Sequence, residues 1–523
     1  MGNTNGNDKY KAKIFDIRTG LNVVLFNEKE AVESDMFPGD RVNIISDHGS
    51  TVAMVDVTKT MVDPGEIVFF LDVAEEIHVK KGEKVRVTPA GRSPAVELIK
   101  KKMDGGSLNY AEIKNIIDDL MDKKLSDVEL ASFIASVYIR GLNSEETVGL
   151  TKAVVESGET LQLPSSAKPI VDKHCTGGVA GNRTTMLIVP IMAASGLYMP
   201  KTSSRSITSA AGTADTMEVL CDVELRLDEM RDIVMKSKGC IVWGGSMNLA
   251  AADDKLIRIR HPLSLDPTGV MVASVLAKKK SVGADYVTID IPVGRGAKIQ
   301  STQHANELAK QFINVSGKLG MKTEVFITYG RDPVGKGIGP SLECMDVLKA
   351  LQGNGPGDLV EKSCRLAGAL LELCGKTPKG KGYASAVNTL KSGKAYEKFK
   401  EIIELQGGNP EVKASDLPLG KYRHVVKAEK DGRIHLIDNH AVNRLARAAG
   451  SPKSKGAGVL LNIETGDKVK KGQVLFEIIS ESEAKLGQAV KLLDKYETAE
   501  FEKVILGKMG EAGVFQWKPK GTC

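Results

Sequence analysis

The segment Lys173–Thr185, KHCTGGVAGNRTT, gathers a lysine, a histidine, an arginine, three threonines and three glycines. It buries little apolar area, so core packing does not account for it. Backbone N–H groups freed by glycine, hydroxyl donors and fixed positive charge are what an oxyanion needs, and phosphate is the anion expected. A second segment, Lys201–Leu220, KTSSRSITSAAGTADTMEVL, crowds Ser and Thr around Arg205. Hydroxyls donate to phosphate oxygens, and a guanidinium can grip two of them at once. The glycine of its Ala-Gly-Thr step permits close approach. A polar loop with helix caps would explain either segment alone; two of them close in sequence argue for paired anion sites.

Three further places carry possible chemistry. His174 could act as a general acid, contact an anion or be structural, and Lys173 beside it favours its neutral form. GRDPVGKGIGP, residues 330–340, resembles a nucleotide P-loop but lacks the Gly-Lys-Ser/Thr ending. Asp266 stands in SLDPTG, just before a helix bearing Ser274. Pro267 restricts Asp266 to extended backbone. An Asp before Pro is a common helix start, so the residues leave a cap and an acid both open. No HExxH and no Cys/His cluster with ligand spacing occurs, so no metal and no cofactor is expected.

These segments need elements to hold them. Residues 8 to 92 carry short Val- and Ile-rich runs between turn residues, which predicts an all-β small barrel. From residue 94 the period becomes helical. Asn109 with Glu112, Ser126 with Glu129 and Asn143 with Glu146 each have the spacing of a capping box. From Lys168 on, apolar strands alternate with helices. GADYVTIDIPVG (283–294) and TEVFITYG (323–330) are near-continuous apolar strands, as in a sheet covered on both faces. Near the C-terminus, GVLLNIETGDKVKKGQVLFEIIS (458–480) predicts strand–turn–strand, followed by a helix. Its spacing resembles that of biotinyl and lipoyl carrier domains, but no carrier lysine stands at a hairpin tip, so a structural role is expected.

The expected organisation is a multidomain α/β chain: a β-barrel domain over 1–93, a helical domain over 94–165, an α/β domain over 166–424 and an α+β domain over 425–523. Some helices of the α/β stretch are expected to join the helical domain, and those two domains to enclose the active-site cleft.

Composition narrows the function. A chain of 523 residues exceeds one core at roughly 100–200 residues per domain. Its net charge of +6, from 72 basic and 66 acidic residues, is too small and dispersed for a nucleic acid polymer as partner. Seven cysteines without a CxxC pair read as free thiols in a reducing compartment. No signal peptide and no run of roughly 20 apolar residues appears, so a cytoplasmic protein without a membrane partner is expected.

DKHCTGG followed by SSRSITSAAGTADTMEVL resembles the thymidine phosphorylase family, whose pattern falls here on Ser203, Arg205, Gly212, Thr213, Asp215 and Glu218. ASVLAKKKSVGAD and GKGIGPSLE match it too, and the resemblance covers about residues 94–523. The β domain before the helices, GVAGNRTT and HPLSLDPTGVMVAS resemble the archaeal AMP phosphorylase branch. That resemblance implies phosphate contacts at Lys173, Thr185, Ser203 and Thr213. It implies AMP contacts at Gly178, Ser204, Arg205, Ser206, Ile207, Thr208, Ser209, Thr213, Ser274 and Lys298, and a proton-donor role for Asp266. It implies phosphorolysis of a nucleoside 5′-monophosphate to free base and ribose 1,5-bisphosphate, with inorganic phosphate as co-substrate and a homodimer or larger homo-oligomer. Cys175 departs from the family pattern, in which Ser is usual. The other readings are a pyrimidine nucleoside phosphorylase with an added domain and a non-catalytic nucleotide-binding assembly protein.

Overall fold

The structure is a computed structural model that describes residues 9–91, 93–207 and 209–502, together with the backbone of 507–510 and 513–516. The chain divides into two compact units, one formed by residues 1–157 with 252–270, the other by 158–251 with 271–523.

In the first unit, the strands Lys9–Phe15, Val23–Asn27, Arg41–Ile45, Ser50–Thr58, Glu66–Phe70 and Lys84–Pro89 close a barrel in the order first, fifth, second, fourth, third, sixth. Alternation along each strand turns Val24, Phe26, Val42, Ile44, Ile67 and Phe69 into the barrel core. The all-β expectation for this stretch needs one correction. Two short helices, Glu28–Glu33 and Leu71–Glu76, interrupt it, the first started by the Asn27 side chain accepting from the Lys29 backbone N–H. Each has only six residues, too few to show a helical period in sequence.

Four helices follow: Ala95–Met103, Tyr110–Met121, Asp127–Arg140 and Ser144–Glu156. Asn109, Ser126 and Asn143 each accept a bond from the backbone N–H three residues on, and Glu112, Glu129 and Glu146 each bond back to the cap N–H. All three expected capping boxes are therefore formed. Glu146 also takes the buried Lys102 Nζ at 2.6 Å and the Leu108 N–H at 2.9 Å, locking two helices and their connection together. Arg41 of the barrel bonds Glu129 and the Lys124 carbonyl, which fastens barrel to helices.

In the second unit, the strands Lys322–Tyr329, Tyr286–Val293 and Val171–Cys175 form a parallel sheet in that order. The middle strand is buried along six successive residues, as its apolar run requires. Lys322–Tyr329 differs from expectation: it is the edge strand and alternates between exposed and half-buried residues. Met199–Ser203 and Gly239–Trp243 form a separate parallel pair. The helix Thr184–Ala194 is apolar on all sides and lies wholly in the core. Toward the C-terminus, Gly337–Ile338, Gly458–Leu461, Val474–Ser480 and Tyr422–Lys427 form an antiparallel sheet, so a piece of the α/β stretch completes the C-terminal sheet. The helices Asn439–Ala449 and Glu483–Lys491 belong to this part. No helix among the described residues is long and apolar enough to cross a membrane.

Candidate anion-binding site

The first anion segment runs from the strand Val171–Cys175 through a glycine loop into the N-terminus of the helix Thr184–Ala194. A helix start leaves its first backbone N–H groups without intrahelical partners and carries partial positive charge. Arg183, at the cap position, makes no side-chain cap bond. Lys173 is buried and donates to Thr184 Oγ1 at 2.8 Å. Thr185, the next residue of the same helical turn, is also buried. Gly178 has φ +92°, and a Cβ there would lie 2.3 Å from the Lys298 backbone nitrogen. Glycine is required on both counts, and its absence of side chain is what brings the loop against Lys298.

The second segment leaves the strand Met199–Ser203 and ends at the short helix Thr213–Met217. Asp215 Oδ2 accepts from the N–H groups of Ser206 at 2.7 Å and Gly212 at 2.8 Å, pinching the loop shut. Gly212 packs on the Ser204 carbonyl so closely that a Cβ would sit 2.4 Å from it. Arg205 donates to both oxygens of Glu218, at 2.8 and 2.6 Å, to Glu224 at 2.6 Å, and stacks over the Trp243 ring at 5.0 Å. Ser204 and Ile207 are exposed; Thr208 lies outside the described residues.

The two segments are tied to each other. Arg183 of the first donates to the Ala211 carbonyl of the second and to buried Glu343, which also accepts from Thr216 Oγ1 at 3.0 Å. The hydroxyls of Thr176 on the first and Ser203 on the second are buried without a hydrogen-bond partner among the described residues. Buried hydroxyls are rarely left so, and a ligand accepting from them is one resolution.

Beneath the loops lies a cluster that sequence reasoning missed. Asp172 stands between Lys279 at 2.8 Å and Lys201 at 3.4 Å; Asp290 stands between Lys362 at 3.1 Å and Lys173 at 4.0 Å. Four ammonium groups thus share two carboxylates, and the surplus positive charge suits an incoming anion. Burial lowers the Lys173 and Lys201 ammonium groups from their ordinary value. Burial first, and then Lys279, Lys201, Lys278 and Lys173, hold the His174 imidazole well below its usual range, so it is neutral at physiological pH. Burial also pushes the Cys175 thiol up to about 11, so it stays protonated while accepting from Asn182 Nδ2 at 3.3 Å.

Ser274 sits on the helix Thr268–Ser281, where Lys278 Nζ reaches its hydroxyl at 3.4 Å. Asp266 stands two residues before that helix, and its carboxylate pairs with Arg260 at the end of the helix Ala251–Arg260. Asp266 belongs to the first unit, and the other candidate residues to the second.

Comparison with known proteins shows the family. The glycosyl transferase family helical bundle domain matches residues 96–158, and the a/b domain of the same family matches 167–396. The pyrimidine nucleoside phosphorylase C-terminal domain matches 434–499. AMP phosphorylase of Thermococcus kodakarensis is 46% identical over 503 residues, covering 96% of this chain and 99% of that protein. AMP phosphorylases of Pyrococcus furiosus and Methanosarcina barkeri are 45% and 44% identical, covering 95% and 97% of this chain and 98% and 99% of theirs. The chain belongs to the AMP phosphorylase family. Among solved structures, anthranilate phosphoribosyltransferase from Thermus thermophilus aligns with a TM-score of 0.52 at 21% identity, over 59% of this chain and 99% of that one, a likeness of fold alone. For a member of the AMP phosphorylase family, the matched stretches fall on the helical bundle, the α/β part and the C-terminal part described above, while the barrel precedes them.

Proposed function

We propose that this protein catalyses phosphorolysis of AMP, and of related nucleoside 5′-monophosphates, to free base and ribose 1,5-bisphosphate. The reading fits the near-full-length relatives and rests structurally on one observation: two glycine- and hydroxyl-rich anion loops are joined side by side by Arg183. The reaction has two anions to hold, the attacking phosphate and the 5′-phosphate of the substrate.

The attacking phosphate belongs at the first loop. Lys173 supplies charge there, the helix start with Thr185 supplies donors, and the second loop adds the Ser203 hydroxyl, unpartnered among the described residues, and Thr213 at the start of its helix. A phosphate oxygen forms a bond to C1′ as the C1′–N9 bond breaks, through a transition state of oxocarbenium character. The bonding pair leaves with the base, and a proton from Asp266 makes adenine a neutral leaving group. Ser204 and residues 206–209, with Gly178, Ser274 and Lys298, hold the nucleotide, and Arg205 serves by fixing the loop through Glu218. No metal or other cofactor enters this scheme.

The deciding experiment incubates AMP, CMP, UMP, adenosine, thymidine and uridine with phosphate and follows release of free base. Monophosphates should be consumed and AMP preferred to adenosine by at least roughly tenfold, as a charge-assisted contact to the 5′-phosphate implies. Turnover of thymidine and uridine but not of monophosphates would make the protein a pyrimidine nucleoside phosphorylase. No turnover of any would leave a binding protein.

A further inference from the structure

The helix Asn439–Ala449 carries Asn439, Asn443 and Arg447 at intervals of four residues, so they lie along one face. Its other face packs Val442, Leu445 and Ala446 into the C-terminal core. The polar row touches both anion segments. Asn439 Oδ1 accepts from the Ala180 N–H of the first at 2.9 Å, while its Nδ2 donates to the carbonyls of Gly330 and Arg331 at 3.2 and 2.9 Å. Asn443 Oδ1 accepts from the Ala210 N–H of the second at 2.9 Å, and its Nδ2 donates to the Asn439 carbonyl at 2.9 Å. Arg447 Nη1 donates to the Ser209 carbonyl at 2.9 Å and approaches Ser206 Oγ at 3.4 Å.

The second loop lacks an available cation of its own, because Arg205 is held by Glu218, Glu224 and Asp215. Arg447 is exposed and, among the described residues, engages the loop through Nη1. We propose that Arg447, reaching across from the C-terminal part, is the guanidinium that binds the 5′-phosphate of the nucleotide at residues 204–209, with Asn439 and Asn443 as positioning residues that set it there. The proposal rests on the nucleoside 5′-monophosphate reading above and names the source of its phosphate selectivity. A guanidinium offers parallel N–H bonds that match a phosphate edge, whereas an ammonium does not. Its remaining N–H groups would point into the ligand while Nη1 stays on the Ser209 carbonyl.

The test compares wild type, Arg447→Met, Arg447→Lys and Asn443→Ala. Steady-state constants are measured for AMP, adenosine and phosphate, and dissociation constants by calorimetric titration with AMP and with inorganic phosphate. Loss of one charge-assisted contact should weaken AMP binding by roughly ten- to a hundredfold in Arg447→Met. The preference for AMP over adenosine should fall by the same factor. Arg447→Lys should restore less than half of that preference on a logarithmic scale, and Asn443→Ala should lose a smaller part of it. An unchanged AMP dissociation constant overturns the proposal. So does an equal loss for AMP and adenosine, which would mean that Arg447 only shapes the loop, or a weakening confined to inorganic phosphate. If wild type turns over no monophosphate, the functional reading falls, and the AMP titrations of wild type and Arg447→Met still decide the binding role.

Discussion

Arg205 and Glu218 face each other in a two-pronged pair, Nη1 to Oε2 at 2.8 Å and Nη2 to Oε1 at 2.6 Å. Parallel bonds of this kind fix orientation as well as energy. Lys455 donates to the same carboxylate, so Glu218 anchors the second anion loop and the C-terminal part together. Glu218→Gln should lower the unfolding free energy by about 1–3 kcal/mol and raise the AMP KM, because a neutral amide cannot hold both cations. Adenosine and AMP should suffer alike, since the loop itself is displaced. Unaltered melting and kinetics would show that Arg205 has an independent hold on the loop.

The same pair sets an acid limit. Arg205 foremost, and then Lys455, draw the Glu218 carboxyl down to about 2 from its ordinary 4.5. A depressed carboxyl contributes stability that is complete above its unfolded value and is lost as pH falls through the folded one. The window is therefore between about pH 4.5 and 2. With the side chain 30% exposed, screening leaves about 1–2 kcal/mol. Denaturant unfolding of wild type and Glu218→Gln should differ at pH 6 and converge toward pH 2. A difference that stays constant across this range would refute the linkage.

Gly178 admits a sharper test. An alanine there needs φ +92° and a Cβ 2.3 Å from the Lys298 nitrogen. Backbone strain of about 1–3 kcal/mol must be met by moving one loop off the other. Gly178→Ala should raise the AMP KM at least roughly tenfold, by the same free-energy scale. Wild-type kinetics in this variant would show that the contact between these loops plays no part in binding.

The sequence resemblance implies serine at the position of Cys175, and burial keeps the Cys175 thiol protonated. A thiol donates weakly. If the side chain meets the attacking phosphate, Cys175→Ser should lower the phosphate KM by roughly fivefold, the worth of one ordinary hydrogen bond. The AMP KM should stay within twofold. A phosphate KM that does not move would place Cys175 outside the contact.

What the sequence made legible was local. Capping boxes need only a cap and a Glu three residues on, so Asn109, Ser126 and Asn143 could be read directly. The anion loops show themselves by residue type, because glycine and hydroxyls concentrate where little else is useful. Their partners were not legible. Lys201, Lys279 and Lys362 are spread along the chain, and only the packing of separate strands and helices brings them to Asp172 and Asp290. Arg205 reads as an anion ligand in sequence, while its pairing with Asp215, Glu218 and Glu224 is set by tertiary structure. The interval of four linking Asn439, Asn443 and Arg447 was visible in sequence, but a polar row on an amphipathic helix usually faces water. Nothing local shows that this one faces two loops.

In the proposed reaction Asp266 is the residue on which the chemistry turns. Its carboxylate pairs with Arg260 and stands two residues before the helix that carries Ser274. To protonate adenine, the carboxylate must leave Arg260, take up a proton from solvent and deliver it to the base, so its exchange of partners is part of the step. Asp266→Asn keeps shape and hydrogen-bonding capacity and removes the acid together with the charge that pairs with Arg260. It should lower kcat by roughly 10²–10⁴-fold, the usual share of general acid catalysis. The AMP KM should stay within a few-fold, and the melting temperature should shift little. A substrate whose base leaves readily without protonation should recover most of the lost rate in Asp266→Asn, because its departure needs no proton. That recovery separates an acid from a structural aspartate, which would slow both substrates alike. Near-normal kcat with a loss of stability would make Asp266 a structural partner of Arg260, and the acid would then have to be sought elsewhere. His174 is a poor substitute, since burial and four lysines keep its ring unprotonated at neutral pH.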